Sequence, residues 1–166
     1  LGLQPQIIAS HSRGCKMDCS FCFRTTPQLR EKSVERFRKE LKILKEVNQT
    51  GFIMFSDLTF TSNKKRTLEL CEMMKDFRIH WCCMTRCTDV DPETLAAMRA
   101  AGCDMILFGV ESLSPDVQKA ARKGYTESLV HRTLQHTQEA GIVFGGLTIV
   151  GLPSETEESL DHLCRW

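Results

Sequence analysis

The sequence predicts an α/β fold built on a parallel sheet, and three observations carry that prediction. Short apolar runs recur, nearly continuous rather than alternating, as strands covered on both faces require. Each is followed by a stretch with apolar residues at three- and four-residue spacing, the signature of one buried helix face. Capping residues and glycines punctuate the helical stretches. Strand and helix in alternation give a parallel sheet covered by helices. Right-handed crossovers then leave two architectures open, a doubly wound sheet or a curling barrel. The chain's 166 residues fall short of the ~250 typical of an eight-unit barrel, and five units cannot close one.

The elements follow in order. Residues 6–11, with Ile7, Ile8 and Ala9, form the first strand. Val34, Phe37, Leu41, Leu44 and Val47 then mark one face of a helix. Residues 51–56, holding Phe52, Ile53, Met54 and Phe55, are a second buried strand, and Leu68, Cys71, Met74 and Phe77 outline the next helix. Residues 79–85 make the third strand. Asp91-Pro92-Glu93 opens a helix with an N-cap, Pro at the first turn and an acid beside the positive end of the dipole. Gly102 suits its left-handed terminus. Residues 105–110 are the fourth strand, and Ser114-Pro115-Asp116 repeats the capping device. A helical stretch through Leu129, Val130, Thr133, Leu134 and Ala140 stops at Gly141. Residues 142–150 form the fifth strand, and Ser154 with Glu157 resembles a capping box for a last helix.

Composition bounds the function. Hydrophobic residues at 42% and charged residues at 26% support a packed core. Lys and Arg number 22 against 21 Asp and Glu, a net charge of +1, which argues against a nucleic-acid or membrane-surface partner, both of which select a lopsided field. The longest apolar run, residues 142–152, is broken by Gly145, Gly146 and Gly151 and is too short for the ~18 residues of a membrane span. With no signal-peptide pattern, a cytoplasmic protein is expected. The chain starts at Leu1 and stops at Trp166 within a helical pattern. The expectation is one core domain over residues 1–166, cut at both ends.

The nine cysteines are odd in number and unevenly spaced, which does not describe a disulfide framework. Three of them stand together after the first strand, in Arg13-Gly14-Cys15-Lys16-Met17-Asp18-Cys19-Ser20-Phe21-Cys22. Thiols at this spacing in one loop can converge on one centre. Structural zinc takes four ligands, and electron-transfer [4Fe-4S] clusters take four cysteines. A cubane held by three leaves one iron open to a chelating substrate. The alternatives are a zinc site completed by His11 or a distant cysteine, and three unrelated buried thiols.

Cys15-x3-Cys19-x2-Cys22, with the aromatic Phe21 before the last cysteine, resembles the signature of the radical SAM superfamily. The resemblance implies an incomplete parallel (β/α) barrel, about five units of a (β/α)6 core. It implies that Cys15, Cys19 and Cys22 hold a [4Fe-4S] cluster whose fourth iron is chelated by S-adenosylmethionine (SAM). Reduction by a flavodoxin- or ferredoxin-like partner would then cleave SAM to methionine and a 5′-deoxyadenosyl radical, which abstracts hydrogen from a substrate.

The resemblance also suggests SAM contacts, all at strand ends that share the cysteine loop's rim. Backbone near Ser56, or the Asp57 carboxylate, would take the SAM ammonium, although Phe55-Ser56-Asp57-Leu58 departs from the family's Gly-Gly-Glu-like element. Glu111 suits the ribose hydroxyls, because a carboxylate accepts two hydrogen bonds from a diol. Arg86 and Lys123 are the cations for the SAM carboxylate. A salt bridge between Asp57 and Arg86, and a solvated helix end for Lys123, are the plainer readings. Ile149 and Val150, in a region similar to the family's Gly-x-Ile-x-Gly element, are expected beside the adenine. Gly146 falls one residue before the place of its leading glycine, where Leu147 stands. Phe21 would offer its backbone to the adenine edge. No further catalytic residue is expected beyond the cluster ligands. Of the other cysteines, Cys71 and Cys103 read as core, Cys82 and Cys83 point to opposite faces of their strand, and Cys87 beside Arg86 is the one to watch.

Three stretches resemble one group within the superfamily: Ser12-Arg13-Gly14-Cys15; Asp57 with Phe60; and Thr85-Arg86 with Asp89, then Ala101-Gly102-Cys103 before Gly109-Val110-Glu111-Ser112. Together they resemble the core of enzymes that carry a cobalamin-binding domain and perform radical methylations or rearrangements. The resemblance implies cobalamin in a domain outside this chain. The alternatives are a methylthiotransferase acting on tRNA or protein and, from another class, a non-catalytic zinc or iron–sulfur module.

Overall fold

The computed structural model describes residues 7–23, 26, 28–47 and 52–166. Gln6 and Gly51, at the starts of two expected strands, lie outside the described residues. Seven strands and six α-helices are formed among them. β1 (Ile7–Ala9) leads to a two-stranded antiparallel ribbon of β2 (Ser12–Arg13) and β3 (Arg30–Glu31). There follow α1 (Val34–Val47), β4 (Phe52–Phe55), α2 (Lys64–Met74) and a single 3-10 turn over Lys75–Phe77. β5 (His80–Thr85), α3 (Pro92–Ala100) and β6 (Cys103–Glu111) come next. α4 (Pro115–Ala120), α5 (Glu127–Glu139), β7 (Val143–Thr148) and α6 (Glu157–Arg165) complete the chain.

The main sheet has the order β1-β4-β5-β6-β7, and every pair in it is parallel. That order decides between the two architectures. A doubly wound sheet reverses its strand order at a switch point; here each strand is added beside the last in one direction, which is the winding of a barrel. β1 and β7 stand at opposite edges and are not paired with each other. The sheet is thus an incomplete barrel.

The core lies between the sheet and its helices. Phe37 and Leu41 of α1, Leu70 and Met74 of α2, and Leu95 and Met98 of α3 bury their side chains against Ile53, Phe55, Trp81, Ile106 and Phe108 of the strands. Val47, at the end of the α1 stripe, is 71% exposed. Among the described residues no helix is long and apolar enough to cross a membrane.

Several boundaries differ from expectation for local reasons. The helix after β7 is capped by Thr156, which trades side-chain and backbone hydrogen bonds with Ser159 at 3.1 and 2.9 Å. Ser154 cannot serve, because its φ of +70° turns the chain before the helix starts. β7 ends at Thr148, short of Ile149 and Val150. Asp91 caps α3 as its sequence demands, accepting from the Thr94 amide at 2.8 Å, whereas Ser114 makes no side-chain cap to α4.

Candidate active site

The loop carrying the three cysteines leaves the ribbon at Arg13 and is held from several sides. Its root rests on Asp57, just past β4. That carboxylate, 1% exposed, accepts from the backbone amides of His11 and Ser12 at 3.2 and 2.6 Å and from the Ser12 hydroxyl at 2.5 Å. Gly14, at φ +82°, passes so close to the carbonyls of Thr26 and Gln28 that a Cβ would have no room. Lys16 donates to the Ser62 carbonyl at 2.5 Å, and Arg122 pairs with Asp18 at 2.7 Å. Ser20 donates through its amide to Ala121 (3.1 Å) and through its hydroxyl to Ala120 (2.8 Å). These are last-turn carbonyls of α4, which helix geometry leaves without partners.

His11, the proposed fourth zinc ligand, belongs to this foundation. Its ring is buried edge-on against Phe60, with centroids 4.7 Å apart, and Nε2 faces the Phe60 carbonyl at 3.1 Å. Burial holds its pKa below the ordinary value, and the neighbouring Asp57 charge opposes that only in part.

Cys15, Cys19 and Cys22 line one cavity of about 150 Å³, and the wall facing them includes Arg86, Glu111 and Lys123. Strand topology explains the meeting: Arg86 follows β5, Glu111 ends β6, Lys123 lies beyond α4, and the cysteine loop follows β1. All sit at the carboxyl ends of parallel strands, where sites of such folds collect. Met84, Leu58 and Leu147 supply apolar wall. All three thiols are free. The Cys15 sulfur accepts from the Met17 amide at 3.4 Å, and Cys19 accepts from the Arg86 guanidinium at 3.5 Å.

The cations and the carboxylate are buried as a group. Arg86 and Lys123 are 5% and 6% exposed and Glu111 is 8% exposed. Lys123 reaches Glu111 at 3.1 Å, and Arg86 donates to the Lys123 carbonyl at 2.8 Å. The Tyr125 ring lies 5.0 Å from each cation, and the Phe21 ring 5.9 Å from the Lys123 ammonium. Glu111 adopts φ +64°, a strained value for a residue with a Cβ, where the β6–β7 register slips between Gly109 and Glu111. A Cβ at Gly109 would stand 2.7 Å from the Glu111 carboxylate and 3.1 Å from the Lys123 ammonium. Glycine there makes room for the pair.

Phe21, Arg86, Glu111 and Lys123 thus meet the cysteines, whereas Ser56, Asp57, Ile149 and Val150 are not among the residues lining the cavity. Ser56 is bonded to the Ala9 carbonyl through its amide and hydroxyl, at 2.9 and 3.3 Å. From the same segment Leu58 and Thr59 reach the cavity instead. Ile149 packs beside Val117, Ala121 and Leu152, and Val150 is 71% exposed. Asp57 and Arg86 each take partners other than one another, and Lys123 is far from a solvated helix end. Gly109, Thr59 and Tyr125 escaped the sequence reading. Gly109 adjoins the Glu111 segment, and Tyr125 is the chain's single tyrosine, but neither fact alone places it at a site.

Larger hollows of about 480 and 510 Å³ lie beside the β2–β3 ribbon and beside Trp166. Neither is lined by a thiol, so chemistry rather than size selects the smaller cavity. Cys87 is not among the residues lining it, and burial pushes that thiol up to about 11, against the pull of Lys123 and Arg86.

The family model of the radical SAM superfamily matches residues 9–166. The chain belongs to the radical SAM superfamily. It is therefore an enzyme of a family that binds a [4Fe-4S] cluster and SAM. It is 33% identical to an uncharacterized methyltransferase of Pyrococcus horikoshii over 96% of this chain and 36% of that protein. It is 29% identical to the anaerobic magnesium-protoporphyrin IX monomethyl ester cyclase of Rubrivivax gelatinosus, over 93% of this chain and 29% of that one. The chain thus spans about a third of the length of these relatives. Its fold is similar to that of the radical SAM methyltransferase TsrM from Kitasatospora setae. The structure with tryptophan and a SAM analogue bound gives a TM-score of 0.85 at 18% identity, over 96% of this chain and 34% of that one. TsrM has also been solved with cobalamin and a [4Fe-4S] cluster bound, with a TM-score of 0.83 at 18% identity, over 98% of this chain and 32% of that one.

The residues fit the superfamily's two cofactors. Three free thiols on one wall match three-cysteine ligation, and buried cations with a carboxylate opposite match a ligand bearing a carboxylate and a diol. Among the described residues no three His, Cys, Asp or Glu side chains are grouped as ligands of a single metal ion. A cluster asks for something different, one thiolate on each of three irons.

Proposed function

We propose that residues 1–166 are the core domain of a larger enzyme, in which Cys15, Cys19 and Cys22 hold a [4Fe-4S] cluster and the facing wall holds SAM. The observation that carries this reading is the single cavity with the three thiols on one side and Arg86, Glu111 and Lys123 on the other. A cluster held by Cys15, Cys19 and Cys22 would supply the one electron that cleaves SAM to methionine and a 5′-deoxyadenosyl radical.

The chain's own residues bind and orient. Arg86 supplies a charge-assisted N–H to the Cys19 sulfur and, with Lys123, positive charge for the SAM carboxylate. Lys123 pairs with Glu111 across the cavity, and SAM would exchange that pair for two: carboxylate on Lys123, ribose diol on Glu111. Phe21 closes the cysteine side. Ser56 and Asp57 act behind the loop, and Ile149 and Val150, past the end of β7, would reach the adenine only if it extends beyond the cavity the structure shows. The apolar Met84, Leu58 and Leu147 give the cavity an apolar side.

The names of the two relatives, a methyltransferase and a cyclase, support radical methylation or rearrangement, and the TsrM structure with cobalamin bound supports cobalamin held in a domain outside these residues. The electron would come from a flavodoxin- or ferredoxin-like reductant, in the cytoplasm. The test is anaerobic reconstitution of the full-length protein. About four irons and four sulfides per chain are expected, with an EPR signal that shifts on adding SAM and 5′-deoxyadenosine released under reductant. Cys19→Ala should abolish all three. Zinc loading without iron would overturn the reading.

A further inference from the structure

Tyr125 is used by no step above, yet it touches both cations of the site. Its ring centroid lies 5.0 Å from the Arg86 guanidinium carbon and 5.0 Å from the Lys123 ammonium. The side chain is 5% exposed, so water competes little for either cation. Arg86 also donates to the backbone carbonyl of Lys123 at 2.8 Å. Two like charges that share one ring repel, and burial raises the cost of each. The Glu111 carboxylate neutralises only one of them, at 3.1 Å from Lys123. The negative face of an aromatic ring is a further counterweight available to both.

We propose that Tyr125 is a positioning residue that acts through its ring: it holds Arg86 and Lys123 together, facing the cavity, in the posture that receives the SAM carboxylate. The inference rests on the assignment of that carboxylate to these two cations. The hydroxyl has no part in it: it is buried beside the Cys87 backbone, and burial pushes its pKa well above the ordinary tyrosine value.

The role of a ring differs from that of a shape or a hydroxyl, and substitution separates them. In the full-length, cluster-loaded protein, Tyr125→Phe should bind SAM within about two-fold of the parent, by equilibrium dialysis and by the SAM-induced EPR shift. Tyr125→Leu should weaken binding about five- to thirty-fold, the range one cation–π contact spans between an exposed and a desolvated setting. If the leucine variant fails to fold, phenylalanine bearing one, two or three ring fluorines at position 125 keeps the shape and drains the ring face of charge. Log affinity for SAM should then fall steadily with each fluorine while iron content and melting temperature stay level. The effect should appear in KM for SAM more than in kcat. A flat fluorine series, or a phenylalanine variant as weak as leucine, overturns the proposal. A parent protein that takes up the cluster but not SAM overturns the function proposed above instead, so the two failures are distinguishable.

Discussion

At the scale of single residues, the site is built from conflicts that neighbours resolve. Gly109 is the plainest case. Any Cβ there enters the space of the Glu111 carboxylate and the Lys123 ammonium, which are ends of flexible side chains and can be pushed aside. Gly109→Ala should therefore change stability by no more than about 1 kcal/mol while weakening SAM binding about ten-fold or more. A melting curve beside a SAM titration would check this, and an equal loss in both would count against it. The cysteines divide by the same physics. Burial pushes Cys71 up to about 12 and Cys87 up to about 11, and Cys82, Cys83 and Cys103 are buried as well. Thiolate is the reactive form, so iodoacetamide at pH 8 should label the exposed Cys22 and Cys164 of the cluster-free protein and spare these five. At pH 10 about a tenth of Cys87 but about a hundredth of Cys71 would be ionised, so Cys87 should react first. Loading the cluster should protect Cys22 and leave Cys164 open, read by mass spectrometry. The three-cysteine spacing was visible in the sequence because thiols on one short loop are local. Tyr125 was not, because its meaning lies in two cations that the fold brings to it, one of them from the end of β5.

At the scale of elements, the cysteine loop shows how much of the candidate site is scaffold. Asp57 follows a strand remote in sequence, yet the root of the loop hangs on its carboxylate through His11 and Ser12. A strand-end acid beside a presumed cofactor site reads, in sequence, as a ligand for a cation, and the structure directs it at backbone amides instead. Asp57→Ala would leave two buried amides and a hydroxyl without their acceptor, a cost of about 2–4 kcal/mol. Lowered stability with poor cluster retention is expected, measured by urea unfolding and by iron per chain. Unchanged iron content would place the loop's support elsewhere. Helix starts were legible where the cap is a single local contact, as at Asp91. They misled where two candidates compete, since Ser154 and Thr156 both precede acids and only backbone φ chooses between them. The β2–β3 ribbon gave no sequence signal, because two residues per strand are too few for any periodicity.

At the scale of the molecule, strand alternation was legible from periodicity, and the open barrel only through the resemblance carried by the cysteine motif, because pairing order is a long-range property. The observed order leaves β1 and β7 as open edges. The central strands β5 and β6 bury Trp81, Cys83, Ile106 and Phe108, whereas Ile8 on β1 is 65% exposed and Val143 on β7 is 64% exposed. Edge strands with apolar side chains are templates for pairing with another chain. Two consequences can be separated by experiment. Hydrogen exchange measures local opening, so amides of β5 and β6 should be the slowest in residues 1–166 expressed alone, with β1 and β7 exchanging far sooner. The same polypeptide should self-associate as its concentration rises, seen by light scattering. Ile8→Lys with Val143→Lys should suppress that association without lowering the melting temperature, because a charge on an exposed edge costs little and blocks strand pairing. Association that persists in the double variant would move the sticky surface elsewhere, to the exposed Phe23 or Leu58 beside the cysteine loop. In that case cluster loading, rather than edge charge, should be what restores the monomer.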